Sequence, residues 1–328
     1  MHPDSAVTAS SSMTNSSLDE PLTLLRDHID LPAEIVAKIT HWVIGGPGCY
    51  LDKAQRADFL SMRQVSSFWR RTAFSTPYLW RYLHIDTQSD LGGDPYRVMM
   101  NLKEILPGWF AHAGQGAEVH LEFGGWMSYG DSHVDWVGML WGGEQRSYRL
   151  ATVRFFGDVL LGPSIDEHLP AMIDLRNLSI TTDDSWGTPE FPVNLNGTFP
   201  LLKSLAFSGP STFHPLRHSI PHSNIQSLFL SYLTLQRREF AMVLEGLPKL
   251  EELIIHNSIF TRMEDFSRVV NTSIQRLVCP AGILLRWPSI ILSSLKYFKL
   301  IRNTVKRFTH WSDDDSETWT EMENLNVC

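Results

Sequence analysis

Apolar residues are more numerous than one helix face needs in the segment LPAEIVAKITHWV, residues 31–43. A proline in the first turn with acids beside it is typical of a helix start, because proline has no amide hydrogen to leave unpaired and acids favour the positive helix end. One apolar stripe is formed by Ile35, Ile39, Trp42 and Val43, and the apolar residues off it are Leu31, Val36 and Ile44. The pattern predicts a helix whose apolar surface extends beyond one face and needs a second cover.

Helical periodicity covers residues 21–74 as a whole. The segment PLTLLRDHI precedes the first helix, and KAQRADFLSMRQVSSFWRRTAF follows the glycine-rich break GGPG at 45–48. Next comes STPYLWRYLHID, in which Leu83 and Ile85 alternate with polar residues, as in a half-buried strand. We therefore predict a compact helical module over residues 21–76, followed by a strand.

A second pattern recurs from residue 150 onward, and each copy reads apolar, two spaces, apolar, one space, apolar. The copies are LATVRFFGD, LRNLSITTD, LKSLAFSGP, IQSLFLSYL, LEELIIHNS, IQRLVCPAG and LKYFKLIRN, with looser copies in GAEVHLEFG and WRYLHIDT. Their first residues are 25, 27, 23, 25, 24 and 21 positions apart, which is the spacing of leucine-rich repeats, whose LxxLxL core forms one strand per turn. The pattern predicts a solenoid of parallel strands.

Two segments between these copies have helical spacing. They are QRREFAMVLEGL, with Phe240, Val243, Leu244 and Leu247, and RMEDFSRVV, with Met263, Phe266, Val269 and Val270. A doubly wound α/β domain is the alternative, but it favours continuous Val and Ile runs and a glycine-rich phosphate turn, which the sequence lacks. We predict a fold of class α+β with an α/β part: a helical module followed by an irregular leucine-rich-repeat-like α/β solenoid. The predicted segments are a disordered leader at 1–20, the module at 21–76, a linker strand and helix at 77–115, the solenoid at 116–303 and an acidic tail at 304–328.

Composition narrows the classes of partner. The chain has 328 residues, a formal net charge of -8 and a pI near 5.9, so it lacks the basic surplus that nucleic acid or an anionic membrane requires. Three cysteines without CxxC spacing indicate reduced thiols rather than a disulfide framework. The leader lacks the features of a secretory signal, and no apolar run reaches the length of a membrane span. We expect a cytoplasmic or nuclear protein.

No pattern of catalytic or metal-ligating residues stands out. His214, His218 and His222 are four residues apart in HPLRHSIPH, but the two prolines of this segment disfavour the helix that would align them. Phosphate loops, nucleophile elbows and HExxH pairs are absent from the sequence. We expect no enzyme, no cofactor and no metal.

The helical module resembles an F-box. The similarity runs through Leu31, Pro32, Glu34, Ile35, Ile39, Val65, Ser66, Trp69, Arg70, Pro77, Leu79 and Trp80. The segment GWFAHAGQGAEVHLEF further resembles the tryptophan-led start of the repeat region in many fungal F-box proteins. Two features depart from the family: the insert GGPGCYLDKAQRAD at 45–58 is long, and Ser66 stands where cysteine is common.

The resemblance implies a cover for the second apolar face. F-box modules bind the Skp adaptor, which joins them to a cullin and a RING subunit of a ubiquitin ligase. The adaptor contacts expected here are Leu31, Pro32, Ile35, Ile39 and Val65, with Trp69 connecting them to the core of the module. The alternative is that both faces pack within this chain, against residues 21–29 and the repeats.

Three hypotheses about function remain. The first is an F-box substrate receptor that binds the Skp adaptor through the module and a target protein through the repeats. The second is a non-catalytic repeat scaffold in which the F-box-like module only caps the solenoid. The third is an enzyme whose site the sequence does not reveal.

A column of strand residues is the candidate target site. The residue between the second and third apolar positions of each copy points away from the core, because side chains alternate along a strand. This column contains Arg154, Ser179, Ala206, Phe229, Ile254, Val278 and Lys299. We expect Phe229, Ile254 and Val278 to form an exposed apolar centre on the concave face, with Arg154 and Lys299 selecting an acidic rim on the target.

The acidic tail is a competing cover for the apolar strip formed by Phe229, Ile254 and Val278. Residues 313–315 are all aspartate and lie between Trp311 and Trp319. Such a run is typical of a solvated terminus, and its serines suit regulatory phosphorylation. Either tryptophan would cover the apolar strip if the tail folded back, which predicts an autoinhibited state that a target relieves.

Overall fold

The computed structural model describes residues 31–46, 48–86, 90, 104–124, 148–156, 174–181, 200–209, 212–213, 224–260, 269–281 and 290–301. The expectations for the leader, for residues 21–30, for the three histidines of HPLRHSIPH and for the acidic tail lie outside these residues. None of the helices in the described ranges combines the length and the apolar character needed to cross a membrane.

Three helices form the N-terminal module: α1 (Ala33–Val43), α2 (Lys53–Met62) and α3 (Ser67–Phe74). The continuous helical pattern of residues 53–74 is divided because Ser66 adopts an extended backbone and its hydroxyl accepts the amide hydrogen of Trp69 at 3.2 Å. The long insert at 45–58 contains a capping box that begins α2. Asp52 accepts the amide of Gln55 at 2.8 Å, and the Gln55 side chain accepts the amide of Asp52 at 3.0 Å.

Within the described ranges, nine parallel strands form one continuous sheet after these helices. In spatial order they are β1 (Tyr82–Asp86), β2 (Ala117–Gly124), β3 (Tyr148–Phe156), β4 (Asn177–Thr181), β5 (Ser204–Ser208), β7 (Ser227–Ser231), β9 (Glu252–His256), β12 (Arg276–Pro280) and β14 (Tyr297–Ile301). Each predicted copy of the LxxLxL pattern contains one of these strands. The predicted order of parallel strands is thus present from residue 82 to residue 301.

The apolar positions of the pattern stack in columns inside the sheet. From β4 to β12 the column that precedes the strands is buried, and it contains Leu175, Leu202, Ile225, Leu250 and Ile274. The two inner columns of the strands are buried likewise, as in the copies Leu205 with Phe207, Leu228 with Leu230 and Leu253 with Ile255. Stacking of like positions buries apolar surface in the copies from β4 to β12, although the intervals between copies vary, whereas Phe298 and Leu300 of β14 stay about half exposed.

In the part of the chain that the structure describes, short strands and one helix form the other side of the solenoid. β6 (Thr212–Phe213), β8 (Thr234–Leu235) and β10 (Ile259–Phe260) pair in parallel, as do β11 (Val269–Val270) and β13 (Ile290–Ile291). The predicted helix in QRREFAMVLEGL is present as α4 (Arg237–Gly246). The described residues therefore form a parallel β-solenoid. About three of its turns have strands on two sides, and one connection contains the helix α4.

The helix predicted over RMEDFSRVV is wrong at its end. Val269 and Val270 form β11, which pairs with β13, and the preceding residues of that segment lie outside the described ranges. Two adjacent β-branched residues favour a strand. Pairing with a strand in the neighbouring turn of the solenoid, here called a coil, outweighs the helical spacing of the four apolar residues.

The helical module and the sheet share one core. Trp80 is buried, and its indole N–H donates to the carbonyl of Ala73 in α3 at 2.9 Å. Its ring stacks on Phe74 at 5.4 Å and meets Phe59 edge to face at 4.9 Å. The same apolar cluster continues from Phe59 through Leu83 of β1 and along the sheet. The module is therefore packed on the first strand rather than tethered to it.

Candidate functional site

The first helix divides its apolar residues between two sides. Val36 and Ala37 are buried, at 1% and 7% exposure, and Thr40 lies beside them with its hydroxyl donating to the carbonyl of Val36 at 2.9 Å. On the other side, Trp42 is 81% exposed and Val43 is 49% exposed. The residues off the stripe thus face the core, whereas part of the stripe itself is open to solvent.

The six predicted adaptor contacts differ in exposure. Val65 is 65% exposed, Ile35 is 39% exposed and Pro32 is exposed as well. Leu31, Ile39 and Trp69 are half-buried. Val65 lies between α2 and α3, and Trp69 lies in the first turn of α3, where its backbone amide is held by Ser66. Pro32, Ile35 and Val65 thus expose apolar surface on the module.

A groove beside these residues escaped the sequence analysis. It has a volume of about 760 Å³ and is lined by Ala33, Phe68, Arg70, Arg71, Thr72, Phe74 and Ser75. Phe68, Thr72 and Ser75 are spaced i, i+4 and i+7, so helical spacing along FWRRTAFS was the signal that places them on one face of α3. The groove brings the start of α1 next to a mixed apolar and basic surface of α3.

An aromatic cluster fixes α2 and α3 behind this surface. Trp80 lies at its centre, and Trp109 packs on it with ring centroids 4.9 Å apart. The guanidinium of Arg63 lies over the ring of Phe74 at 4.9 Å and over that of Phe59 at 5.8 Å. Burial lowers the pKa of Arg63, and the neighbouring Arg70 lowers it further. These contacts hold the helices in fixed positions relative to the sheet.

Residues 28–86 match the model of the F-box-like family. The match covers α1, α2, α3 and β1 and includes all six predicted adaptor contacts. F-box domains generally bind Skp-type adaptors. Neither a search of curated proteins nor a search of solved structures returned a match. The assignment of the strand pattern to leucine-rich repeats stays a prediction.

The outer face of the sheet contains the predicted column of residues in register. Backbone pairing sets Arg154 beside Ser179, Ser179 beside Ala206, Ala206 beside Phe229, Phe229 beside Ile254, Ile254 beside Val278 and Val278 beside Lys299. The expected exposure is only partly present. Phe229 is half-buried, whereas Ile254 and Val278 are buried, at 7% and 8% exposure. Little of either side chain is therefore accessible.

The two basic ends of the column differ. Arg154 lies 3.7 Å from Glu122, and its guanidinium lies 4.9 Å from the ring centre of Tyr50. Glu122 also contacts His84 at 3.1 Å. Burial alone would lower the pKa of His84, but the hydrogen bond and the charge of Glu122 outweigh it and raise that pKa. Lys299 is exposed. The column therefore has a paired cation at one end and an accessible cation at the other.

Other chemistry is sparse in the described part of the chain. No group of three or more His, Cys, Asp or Glu side chains there has the geometry to hold a metal ion. Cys279 is buried, which raises the pKa of its thiol to about 11, whereas Cys49 is half-buried. A polar cluster does exist around Glu122, but its members pair with one another.

Proposed function

We propose that this chain is a substrate receptor of a Skp, cullin, F-box type ubiquitin ligase. The observation that carries the proposal is the exposed half of α1 within the F-box-like match: Ile35, Trp42 and Val43 face solvent while the opposite side of the helix is in the core. An apolar surface of this kind on a small helical module favours a protein cover. F-box modules generally bind Skp-type adaptors, and the proposed cover is therefore a Skp adaptor.

The groove between α1 and α3 extends the proposed adaptor surface. Phe68 and Phe74 supply apolar lining, and Arg70 and Arg71 add positive charge at its edge. Cations at the rim of an apolar interface favour an acidic partner and set its orientation. We therefore propose contacts from Ile35 and Val65 at the centre and from the two arginines at the edge.

The role requires no catalytic group in this chain. A receptor holds its target near the ubiquitin-charged enzyme that the cullin and RING subunits recruit, and proximity alone raises the local rate of transfer. The sheet and its outer column are the proposed site of the target, and the proposed location is the cytoplasm or nucleus. Packing of the module on β1 supports this proposal, since both sites then belong to one body.

Replacing Leu31 and Ile35 together by aspartate is expected to abolish binding of a Skp adaptor. Both positions belong to the proposed interface, and burial of two unpaired charges there costs several kcal/mol, about a thousandfold or more in affinity. Adaptor binding is measured by co-purification and by titration calorimetry with the purified adaptor.

Met242→Asp is the matched control for this test, because Met242 is an apolar residue of α4 with 42% exposure, close to the 39% of Ile35. The control is expected to bind the adaptor at full strength. If the double variant keeps its circular dichroism spectrum and still binds like the unmodified chain, the docking face is not on α1.

A scaffold whose module only caps the solenoid is the second candidate, and one contact favours it. Leu51 pairs with Leu83 at the edge of β1, and Arg56 donates to the carbonyls of Leu51 and His84. These bonds close an edge that would otherwise expose unpaired backbone. Capping uses the inner side of the module, so absence of any Skp adaptor from purified complexes would favour this candidate.

A further inference from the structure

Positive charge exceeds negative charge around β1 to β5, at the amino ends of these strands and on the outer face beside them. The described acids there are Glu118, Glu122 and Asp174, and the described cations are Arg81, Arg149, Arg154, Arg176 and Lys203. The chain as a whole has a formal net charge of -8, so this part of the surface differs in sign from the average of the chain. Such a local excess attracts a partner of opposite charge.

The two glutamates of β2 are each shared between two basic side chains. Glu118 contacts Arg176 at 2.7 Å and Arg149 at 3.5 Å, and both arginines expose nearly half of their side chains. Glu122 contacts a histidine of β1 at 3.1 Å and Arg154 at 3.7 Å. In both cases the arginine of β3 makes the longer contact. Since a guanidinium has five N–H donors, Arg149 and Arg154 keep donors for a further anion.

The insert of the helical module holds Arg154 in place. The ring centre of Tyr50 lies 4.9 Å from the guanidinium of Arg154, and the same ring meets Tyr82 of β1 edge to face at 5.6 Å. The next residue, Leu51, pairs with Leu83 of β1, which fixes the insert on the sheet. A guanidinium that is already positioned over a ring loses less conformational freedom when it binds an anion.

Next to these cations the outer face is shallow. The outward side chains of β4 and β5 there are small and at least partly exposed, and they are Asn177, Ser179, Ser204 and Ala206. Phe229 of β7 pairs with Ala206 and is half-buried. The row from Arg154 to Phe229 thus has a cation at one side, small side chains between and an aromatic ring at the other. Small side chains let a partner backbone approach β4 and β5 closely.

We propose that an acidic segment of the target, rich in Asp or Glu, crosses the strands from β3 to β7, with its carboxylates at the cations and an apolar side chain on Phe229. The cations concerned are Arg149, Arg154, Arg176 and Lys203. This assignment of target chemistry rests on the proposed receptor function. It adds to the outer column the feature of the target that the column selects.

The distance between the two features sets their spacing in the target. Arg154 and Phe229 lie in one column and are three strand spacings apart, about 14 Å at roughly 4.8 Å per strand. An extended chain advances about 3.3 Å per residue, so an acid and an apolar residue about four positions apart reach both. Either order along the target satisfies this distance.

A carboxylate segment fits this surface better than a nucleic acid. Phosphates follow one another closely along a nucleic acid and need a continuous basic surface. Here the acids Glu118 and Asp174 lie among the cations, and the chain as a whole is acidic. A short segment with a few carboxylates meets the arginines and Lys203 without placing many charges beside these acids.

Fluorescence anisotropy with the purified full chain tests the proposal. The probe is a labelled Gly and Ser peptide in which one phenylalanine has a pair of glutamates about four positions away on each side, so that either chain direction is covered. The unmodified chain is expected to bind this peptide, and to bind it more weakly as the salt concentration rises. Lys203→Glu combined with Arg149→Gln is expected to weaken binding about tenfold or more, because two exposed cations are lost.

Arg238→Glu is the matched control, since it reverses an exposed charge on α4 rather than on the sheet, and it is expected to change the affinity by less than about twofold. A second peptide has the phenylalanine directly beside the glutamates. It is expected to bind the unmodified chain about threefold or more weakly than the first, whereas Phe229→Ala is expected to bind both equally, because only the contact with Phe229 depends on the spacing.

Three results would overturn the proposal: no binding of the first peptide by the folded unmodified chain, equal loss of binding in Arg238→Glu, or tighter binding of a single-stranded RNA of the same charge. Binding of a Skp adaptor, measured on the same samples, separates this test from that of the receptor function. A chain that binds the adaptor but not the peptide contradicts the acidic target alone. A chain that binds the peptide but no adaptor contradicts the receptor function and leaves the peptide site in place.

Discussion

His120 and His84 lie on the outer face of neighbouring strands, and their pKa values are shifted in opposite directions. His120 stacks on Tyr82 with ring centroids 4.3 Å apart, and burial lowers its pKa to about 4, while Arg154 and Arg81 add to the effect and Glu118 opposes it. His84 has a raised pKa because Glu122 accepts its hydrogen bond. The pKa values of two imidazoles on neighbouring strands are thus shifted in opposite directions for separate physical reasons.

His120 is expected to make the protein less stable in mild acid. Its folded pKa of about 4 lies below the unfolded value of 6.5, so between these values the unfolded chain binds a proton that the folded chain does not. The free energy of unfolding therefore falls as pH decreases from 6.5 to 4, by on the order of 2–3 kcal/mol for this residue. Urea unfolding of the unmodified chain and of His120→Asn, at several pH values, measures the difference.

The control is His84→Asn, for which the sign reverses. A raised folded pKa gives stability that is present below about pH 6.5 and is lost as pH rises through the folded pKa. The two variants are therefore expected to change the pH profile in opposite senses. Parallel profiles for His120→Asn and the unmodified chain would contradict the assigned burial of His120.

At the scale of helices and strands, the buried side chain of Asn271 joins the turn after β11 to the preceding helix by hydrogen bonds. Asn271 follows β11, and its amide nitrogen donates to the carbonyl of Leu244 in α4 at 2.8 Å. Its carbonyl oxygen accepts the amides of Ser273 and Ile274 at 3.0 and 3.3 Å. This side chain supplies the hydrogen bonds that the turn cannot make within its own backbone.

Asn271→Ala is expected to reduce the free energy of unfolding by about 2–4 kcal/mol, because several buried backbone groups lose their partners at once. Asn224→Ala is the matched control. Asn224 also joins two coils, by donating to the carbonyl of Pro200, but it is less buried, so its loss is expected to cost below about 1 kcal/mol. Chemical denaturation at neutral pH compares the two, and equal effects would contradict the role given to Asn271.

The main sheet was predictable because its signal is repeated and local. Each strand has two inner apolar residues, and a third precedes it, so the pattern identifies strands even where the intervals differ. The two-residue strands β6, β8 and β10 escaped prediction, since two residues show no period. Val269 and Val270 have a period that fits a helix, but pairing between coils determines their structure.

The adaptor surface was predictable in kind but not in orientation. The sequence indicates too much apolar surface for one face of α1, but not which half faces solvent. That choice depends on packing against α2 and α3 and on the Trp80 cluster, which joins residues far apart in sequence. In the same way, the register of the outer column followed from strand alternation, whereas the burial of Ile254 and Val278 is a property of the folded chain that alternation does not predict.

At the scale of the whole molecule, the continuous core makes the module and the sheet one mechanical unit. Phe59 of α2 and Leu83 of β1 belong to the same buried cluster as Leu253 of β9. A partner bound at α1 is then held at a fixed orientation to a partner bound on the outer face of the sheet. A fixed geometry is what the proposed receptor role requires, because the rate of ubiquitin transfer depends on holding the target in one position.

Target capture is expected to depend on Phe229 without affecting adaptor binding. Of the three residues of the apolar strip, Phe229 is half-buried and keeps accessible surface, whereas Ile254 and Val278 are buried. Phe229→Lys adds a charge at the centre of the proposed target site and lies far along the sheet from α1. We expect the proteins captured specifically by the full chain, identified by mass spectrometry, to be lost while the adaptor is retained.

Met242→Lys provides the comparison, because it adds the same charge to an exposed residue of α4 rather than to the outer face of the sheet. Substitution of Ile254 is not suited to this test, since a charge at a side chain with 7% exposure is expected to unfold the strand and remove every interaction together. With folding verified by circular dichroism, capture that is unchanged in Phe229→Lys, or lost equally in Met242→Lys, would place the target site away from the outer column.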